Sequence, residues 1–229
     1  MKLEIWSDYA CPFCYVATRN LENALAQFPH RESIEIVHKS HRLHPNVAKT
    51  ATQSMQKVIE QNYRKSSKEA EEMIEYINQA GRNVGLDMQF ENAKDVNTFD
   101  AHRLLKWAKT QGQEEPLSEL MFKAFFSEGL SLADHSVLAE LAEQAGLDRT
   151  AALAFLQSDS ESENVRSDEQ EAYQLGVQGV PFFVFDRQMA FSGAQPPETF
   201  LQVFNELYQA QHIEPEFATG ASCGIDGCK

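Results

Sequence analysis

The chain has 229 residues, of which 42% are hydrophobic, so it can bury one sizeable core and carry a second subdomain. Its 34 acidic residues outnumber 20 lysines and arginines, which gives a formal net charge of −14 and argues against nucleic acid or an anionic membrane surface as a partner. No apolar run approaches membrane-spanning length, and the N-terminus begins directly with a strand pattern. We therefore expect a cytoplasmic protein.

The first elements surround a C-x-x-C motif, Cys11-Pro12-Phe13-Cys14. The segment Lys2–Trp6 alternates polar and apolar residues, which predicts a half-buried strand, and Pro12 suits the first turn of a helix. Cys11 then caps that helix, where unpaired N–H groups and the helix dipole favour a thiolate. We expect Cys11 to be solvent-accessible and to attack disulfides, and Cys14, buried one turn along, to resolve the mixed disulfide.

A single C-x-x-C motif has other interpretations. It is also half of a zinc site, or two small hydrophobic residues on one helix face. A zinc half-site needs a second pair of ligands and normally lies in a tight turn, whereas this motif stands between a strand and an apolar helix. The context therefore favours a redox dithiol, and we expect no cofactor and no metal.

The rest of the chain changes pattern twice. Residues 35–38 predict a second strand, and residues 46–176 show helical spacing with no convincing strand. The continuous apolar run Pro181–Phe185 then predicts a strand covered on both faces, followed by a turn at 186–188 and a second hairpin strand at 189–191. A last helix begins at Pro196–Pro197, and periodicity is lost after residue 213.

Local signals mark several helix ends within the helical stretch. Asn97 followed by Asp100 resembles a capping arrangement, and Asp134 is a candidate cap for the helix after it. Gly146 and Gly176 are candidate helix stops.

Three motifs carry a family resemblance: residues 7–15 (SDYACPFCY), residues 97–104 (NTFDAHRL) and residues 176–185 (GVQGVPFFVF). Over about Met1–Gln209 the chain resembles the DsbA-like thioredoxin superfamily, specifically its FrnE-type cytosolic branch. The resemblance implies an α/β thioredoxin fold with a large α-helical insertion. We expect a discontinuous thioredoxin-fold domain over 1–45 and 177–212, an insertion over 46–176, and a flexible tail over 213–229.

The resemblance also implies a cis Pro181 that lies beside the dithiol and, with Val180, shapes the substrate site. A cis X-Pro bond is accessible at modest cost, and the backbone before it is then free to pair with an extended substrate. Many secreted relatives hold His between the cysteines, where this chain holds Phe13. We therefore expect a more reducing couple, and we place Phe13 in the substrate-binding surface.

Several neighbouring side chains receive structural roles instead. Trp6 and Tyr15 are predicted to be core residues, and His102 a packing residue. His38, His41 and His44 lie close together but lack thiolate or carboxylate companions, so a surface turn is favoured over a metal site.

The predicted activity is protein thiol–disulfide exchange, as an oxidoreductase or isomerase. Its partners are protein thiols and disulfides, with glutathione or thioredoxin as reductant. One alternative is a glutathione-dependent isomerase or transferase of the same fold, although that group usually carries Ser at the nucleophile position. Another is a chaperone that holds unfolded chains and whose thiols only report oxidation.

A second cysteine pair, Cys223 and Cys228, lies in the predicted tail. The glycines between the two residues allow the segment to fold back and close a small disulfide loop. We expect either an electron relay to Cys11 and Cys14 or a simple terminal disulfide, with metal binding as a third alternative.

Overall fold

The computed structural model describes residues 1–48 and 53–212, together with the backbone of residues 223–224 and 227–228. The helices are α1 (Pro12–Gln27), α2 (Met55–Asn62), α3 (Ser67–Asn83), α4 (Phe99–Lys109), α5 (Glu114–Phe126), α6 (His135–Gln144), α7 (Arg149–Leu156), α8 (Ser162–Gln174) and α9 (Pro197–His212). The strands are β1 (Lys2–Ser7), β2 (Glu35–Ser40), β3 (Phe182–Phe185), β4 (Met189–Ser192), β5 (Cys223–Gly224) and β6 (Gly227–Cys228).

Four of these strands form a mixed sheet in the order β2-β1-β3-β4. β1 and β2 are parallel and are joined by α1, whereas β3 runs antiparallel to both β1 and β4. The apolar sides of α1 and α9 pack together against one face of the sheet, and α8 contacts β2 on the other face. This is a thioredoxin fold, and α2–α8 form the helical insertion that the sequence predicts.

The prediction that β1 is half-buried is wrong. Glu4 is as deeply buried as its apolar neighbours because α8 covers the second face of the sheet. Its carboxylate pairs inside the fold with Arg187 from the β3–β4 turn. Polar–apolar alternation therefore gives the wrong burial for this strand, because the acidic residue on its second face is buried with a partner.

The β3–β4 hairpin forms where the sequence predicts it. β3 is buried from Phe183 to Phe185, as its continuous apolar run indicates. Three residues, 186–188, connect the strands; Asp186 and Arg187 both have positive φ, 48° and 58°, and the Gln188 N–H donates to Phe185 O at 2.9 Å. The turn thus brings Arg187 back over the sheet to Glu4.

Helix ends are partly predicted. Asp134 caps α6 by accepting from Ser136 N–H, and Gly146 and Gly176 follow α6 and α8 with φ of 89° and 73°. At the start of α4, Asn97 Oδ1 accepts from Phe99 N–H, and Asp100 binds Arg103 and His135.

The insertion packs directly over the start of α1. Tyr15 of α1 stacks on Phe122 of α5, with ring centroids 5.1 Å apart and planes 9° apart. The same apolar cluster includes Cys11 and Cys14, so the helical block forms one wall of the dithiol. Within residues 1–48 and 53–212, no helix has the length and apolar character needed to cross a bilayer.

Candidate active site

The C-x-x-C motif lies at the junction of β1 and α1. Cys11 is the N-cap residue of α1, with extended backbone (φ −96°, ψ 111°), and Pro12 occupies the first helical turn. The Cys11 N–H donates to Asp8 O at 3.1 Å, and the Cys14 N–H donates to Cys11 O at 3.0 Å. These two bonds hold both cysteines at the N-terminal end of α1, as predicted.

Cys11 faces the loop before β3. Its Sγ–H donates to the carbonyl oxygen of Val180 at 3.4 Å, and the Val180–Pro181 peptide bond is cis. The structure therefore brings Cys11, Val180 and Pro181 together across 169 positions of sequence. The expectation of an accessible Cys11 is wrong for this conformation, because the residue is only 5% exposed beneath that loop.

Cys14 is enclosed more completely, at 1% exposed. Burial, followed by the hydrogen bond to Cys11 and the charge on that residue, raises the pKa of Cys14 well above its usual value, against the opposing effect of the Asp8 N–H. Cys14 is therefore a neutral thiol within hydrogen-bonding reach of the Cys11 sulfur. A buried neutral thiol suits a resolving cysteine, since such a residue acts only after a first cysteine has captured a partner.

Comparisons with known proteins identify the family. A model of the DSBA-like thioredoxin domain matches residues 2–205. The chain belongs to this DSBA-like family. Its members are disulfide oxidoreductases and isomerases, and the finer FrnE-type assignment stays a prediction.

Three solved structures are similar to this chain. A probable DsbA oxidoreductase from Streptomyces coelicolor is 38% identical, with a TM-score of 0.88 over 100% of this chain and 98% of the other. A 2-hydroxychromene-2-carboxylate isomerase is 18% identical, with a TM-score of 0.70 over 92% of this chain and 98% of the other. The cytosolic disulfide reductase DsbM from Pseudomonas aeruginosa is 17% identical, with a TM-score of 0.60 over 90% and 100%. The last two show the shared fold alone.

Behind the dithiol of this DSBA-like protein lies a buried polar network centred on Asp8. Asp8 Oδ1 accepts from Thr98 Oγ1 at 2.7 Å and lies 3.3 Å from His102 Nε2, while Oδ2 accepts from Leu43 N–H at 2.7 Å. Burial alone would raise the pKa of Asp8, but the bond and charge of His102 and the bonds from Leu43 and Thr98 hold it below its usual value. The carboxylate thus ties the segment before the dithiol to α4 and to the loop after β2.

Sequence reasoning missed this network. His102 was given a packing role, and it is indeed only 2% exposed, but it also contacts Asp8. The available signal was an isolated carboxylate between an apolar strand and the C-x-x-C motif, a place where an acid needs a partner. The partners lie about 90 residues away, on α4 and just before it, so spacing could not identify them.

The aromatic residues near the motif divide as expected. Trp6 and Tyr15 are buried, and Tyr9 joins them in the core. Phe13 is partly exposed, and its ring lies 6.2 Å from that of Tyr76, which is 65% exposed. These two rings form an apolar surface next to Cys11.

The remaining candidates lie elsewhere. Among the described residues, no group of three or more His, Cys, Asp or Glu side chains is arranged to hold a metal ion. His38 lies in β2, so the prediction of a surface turn is wrong for that residue. Cys223 and Cys228 are directly paired across β5 and β6, but their side chains, and hence any exchange with Cys11, lie outside the described residues.

Proposed function

We propose that the protein is a cytoplasmic protein thiol–disulfide oxidoreductase or isomerase, with Cys11 as the attacking and Cys14 as the resolving cysteine. The observation that carries the proposal is the pair of sulfurs in contact at a helix N-terminus, one facing Val180 and the other enclosed as a neutral thiol. The cytosolic description of DsbM supports the compartment, and the same compartment keeps such thiols reduced.

The exchange reaction balances with these two residues. The Cys11 thiolate attacks one sulfur of a substrate disulfide, that S–S bond breaks, and the leaving substrate thiolate takes a proton. Cys14 then loses its proton and attacks the Cys11 sulfur, which releases the second substrate thiol. The Cys11/Cys14 dithiol has then passed two electrons to the substrate and become a disulfide. Glutathione or thioredoxin reduces this disulfide and restores the dithiol. In isomerisation, a different cysteine thiolate of the substrate attacks the substrate sulfur of the mixed disulfide. A new substrate disulfide forms, Cys11 leaves as the thiolate, and no net electron transfer occurs.

Substrate recognition is assigned to the loop before β3 and to the apolar surface beside it. The Val180 N–H has no hydrogen-bond partner in the described part of the chain, so it can donate to an extended peptide. An open cleft of about 490 Å³ lies along the segment from Gly176 to Phe182, and both Val180 and Pro181 line it. Phe13 and Tyr76 add apolar area on the side of α1 and α3.

Reduction of insulin with dithiothreitol as the electron source tests the catalytic role. We expect Cys11→Ser to lower turnover at least about 100-fold, because the nucleophile is lost. Cys228→Ser is the matched control, since it removes a thiol far along the chain and dithiothreitol bypasses any relay. A Cys11→Ser protein with full activity would exclude the enzyme, and suppression of aggregation by that variant would then favour the chaperone alternative.

The tail pair is proposed as an electron relay. Direct backbone pairing of Cys223 with Cys228 is compatible with a small disulfide loop between them. If the pair relays electrons, the double variant Cys223→Ser/Cys228→Ser should slow turnover several-fold with glutathione as reductant while leaving the dithiothreitol rate unchanged. Equal rates with both reductants would remove the relay and leave a terminal disulfide.

Glutathione is proposed as a reductant and not as a bound cofactor. The DsbM reductase has also been solved with glutathione, at 15% identity and a TM-score of 0.61 to this chain, which supports testing the same thiol here. The glutathione-dependent isomerase or transferase remains the second candidate through the isomerase fold match. Conversion of a chromene substrate that survives Cys14→Ser would favour that candidate.

A further inference from the structure

The outer strand of the sheet, β4, has an open edge. Within the described residues it pairs only with β3, and its sequence, Met189–Ser192, contains no charged residue and no proline. Edge strands of natural proteins are often protected from pairing with another chain by a charged residue or a proline. Because β4 has neither, its outer side can accept a further strand.

The hydrogen-bond ladder shows which backbone groups face this edge. The Gly193 N–H donates to Pro181 O at 2.8 Å, and facing residues of an antiparallel ladder exchange hydrogen bonds at alternate positions. Ala190 faces Val184, three positions along the ladder, so its N–H and C=O point away from β3. No side chain of the described residues bonds to either group. Ala190 therefore offers one donor and one acceptor to an added strand.

An apolar groove lies beside this edge, on the α8 side of the sheet. Its volume is about 200 Å³, and its lining includes Phe182, Val184 and Leu175. Leu175 follows α8 and is 44% exposed, so its side chain is available for contact. Ala190 also lines the groove, which therefore reaches the open edge. We call this groove, together with the edge at Ala190, the β4 groove.

The β4 groove continues the peptide cleft that Val180 and Pro181 line. Phe182 borders both of them. A strand rises about 3.3 Å per residue, so the distance along β3 from Pro181 to Phe185 is about 13 Å. A peptide whose cysteine reaches Cys11 can therefore place residues about four positions away in the β4 groove.

The β4 groove has no unpaired charge. Arg187 lines its far end, but this side chain is paired with Glu4 and Glu171. No other charged residue lines the groove in the part of the chain that the structure describes. Uncharged apolar side chains suit such a surface, and folded proteins bury most side chains of this kind. The groove is therefore suited to a chain that is unfolded.

We propose that the β4 groove binds an extended apolar segment of an unfolded, disulfide-bonded polypeptide, next to the cysteine that Cys11 attacks. The segment pairs with the edge at Ala190 and packs alternate side chains against Val184 and Leu175. This inference rests on the proposed function and names its substrate class. Glutathione disulfide is too short to occupy the β4 groove from Cys11, so an unfolded chain gains contacts that glutathione lacks.

Two peptides without cysteine test this inference apart from catalysis. The long probe has about ten residues, in which leucine and threonine alternate on both sides of a central serine, and the short probe has only its central three. NMR titration of wild-type protein with labelled methyl groups should give a Kd at least about tenfold lower for the long probe. The methyl signals of Leu175 and Val184 should shift with it. Equal affinities, or a long probe that shifts neither signal, would overturn the inference.

Two variants and a matched control test the contacts. Leu175→Asp adds a charge to the apolar wall, and Ala190→Lys adds one at the edge, so each should weaken the long probe at least about fivefold. Tyr173→Asp is the control, because Tyr173 is 84% exposed and does not line the groove. Circular dichroism and thermal unfolding establish that each variant is folded. Unchanged affinity in either folded groove variant, or an equal loss in the control, would overturn the assignment.

Two other occupants of the groove have their own signatures. Sedimentation would show a second copy as a dimer that Ala190→Lys separates. Contacts between Leu175 and Ile225 in the free protein would instead assign the groove to the chain's own tail. We expect a monomer without such contacts, and either result would overturn the inference.

Failure of this inference can be distinguished from failure of the proposed function. Tight binding of the long probe by a protein that does not reduce insulin would contradict the proposed function alone, and the groove would remain a site for unfolded chains. Full insulin reduction without preference for the long probe would contradict this inference alone.

Discussion

Cys11 and Cys14 are the same residue type one helical turn apart, yet the two sides of the dithiol differ in almost every other respect. The Cys11 side is built from a helix N-terminus and the Val180 carbonyl, both backbone features of the thioredoxin fold. The Cys14 side is built from apolar burial, the Asp8 N–H and a carboxylate network that reaches into the insertion. The comparison teaches that the neighbours of each sulfur, and not the cysteine side chain itself, distinguish the two sites to which we assign attack and resolution.

Removal of the Asp8 carboxylate should have the largest effect on the Cys14 side. Asp8→Ala leaves Leu43 N–H, Thr98 and His102 without their buried acceptor, so we expect the free energy of unfolding to fall by about 3–5 kcal/mol. Urea denaturation at pH 7 measures it. Asp134→Ala, which removes an exposed helix cap, is the matched control and should cost about 1 kcal/mol.

The same pair of variants can contradict this account. If Asp8→Ala costs no more than Asp134→Ala, the Asp8 network does not hold the dithiol segment to the insertion. The pH profile gives a second check. Because the folded pKa of Asp8 is lowered from 3.8, its stabilisation is present above that pH and is lost as the pH falls through the folded value. Asp8→Asn should weaken this acid-dependent loss.

Stability should also depend on pH through His38 of β2, by a smaller amount than through Asp8. His38 is a base that gains a positive charge on protonation, whereas Asp8 is an acid that loses a negative one. Burial, with the charges of Lys109 and Lys106, lowers its pKa from 6.5 to about 4, so the unfolded chain binds a proton that the folded chain does not. Stability should therefore fall between pH 6.5 and 4, by about 1–2 kcal/mol from this residue. His38→Gln should flatten the profile by that amount, and an unchanged profile would show that the ring is solvated.

The Cys11 side should respond most weakly, through Phe13. Phe13→His places a hydrogen-bond donor between the cysteines, which stabilises the thiolate and the reduced form. We expect the reduction potential to rise by about 30 mV, a tenfold change in the equilibrium with glutathione. Phe13→Leu is the apolar control and should leave the potential within about 10 mV of wild type. An equal rise in both variants would assign the effect to lost aromatic packing.

The sequence predicted much of the fold because its signals are local. The strand before Pro12, the apolar run at Pro181–Phe185 and the glycines after α6 and α8 each specify structure within a few residues. Burial by distant elements could not be inferred in this way. Glu4 is enclosed because α8 covers the sheet, and Cys11 is covered by a loop 169 positions along the chain.

The candidate site was likewise predicted only in part: the residues in motifs were found, and the residues with distant partners were not. Cys11, Cys14, Val180 and Pro181 follow from two motifs and a resemblance, and the structure brings all four together. Asp8 and Thr98 could not be assigned, because a carboxylate's buried partner is a property of the folded chain and not of spacing. A cavity next to Cys14 could not be predicted from the sequence either, since its lining comes from β1, β2, α1, α5 and β3.

Trapping of a mixed disulfide tests the division of roles most directly. Cys14→Ser and Cys11→Ser proteins are each incubated with a disulfide-bonded peptide, quenched with acid and mapped by mass spectrometry. We expect a dithiothreitol-sensitive adduct on Cys11 in the Cys14→Ser protein and about tenfold less adduct on Cys14 in the Cys11→Ser protein. Equal trapping on both cysteines, or faster trapping on Cys14, would contradict it.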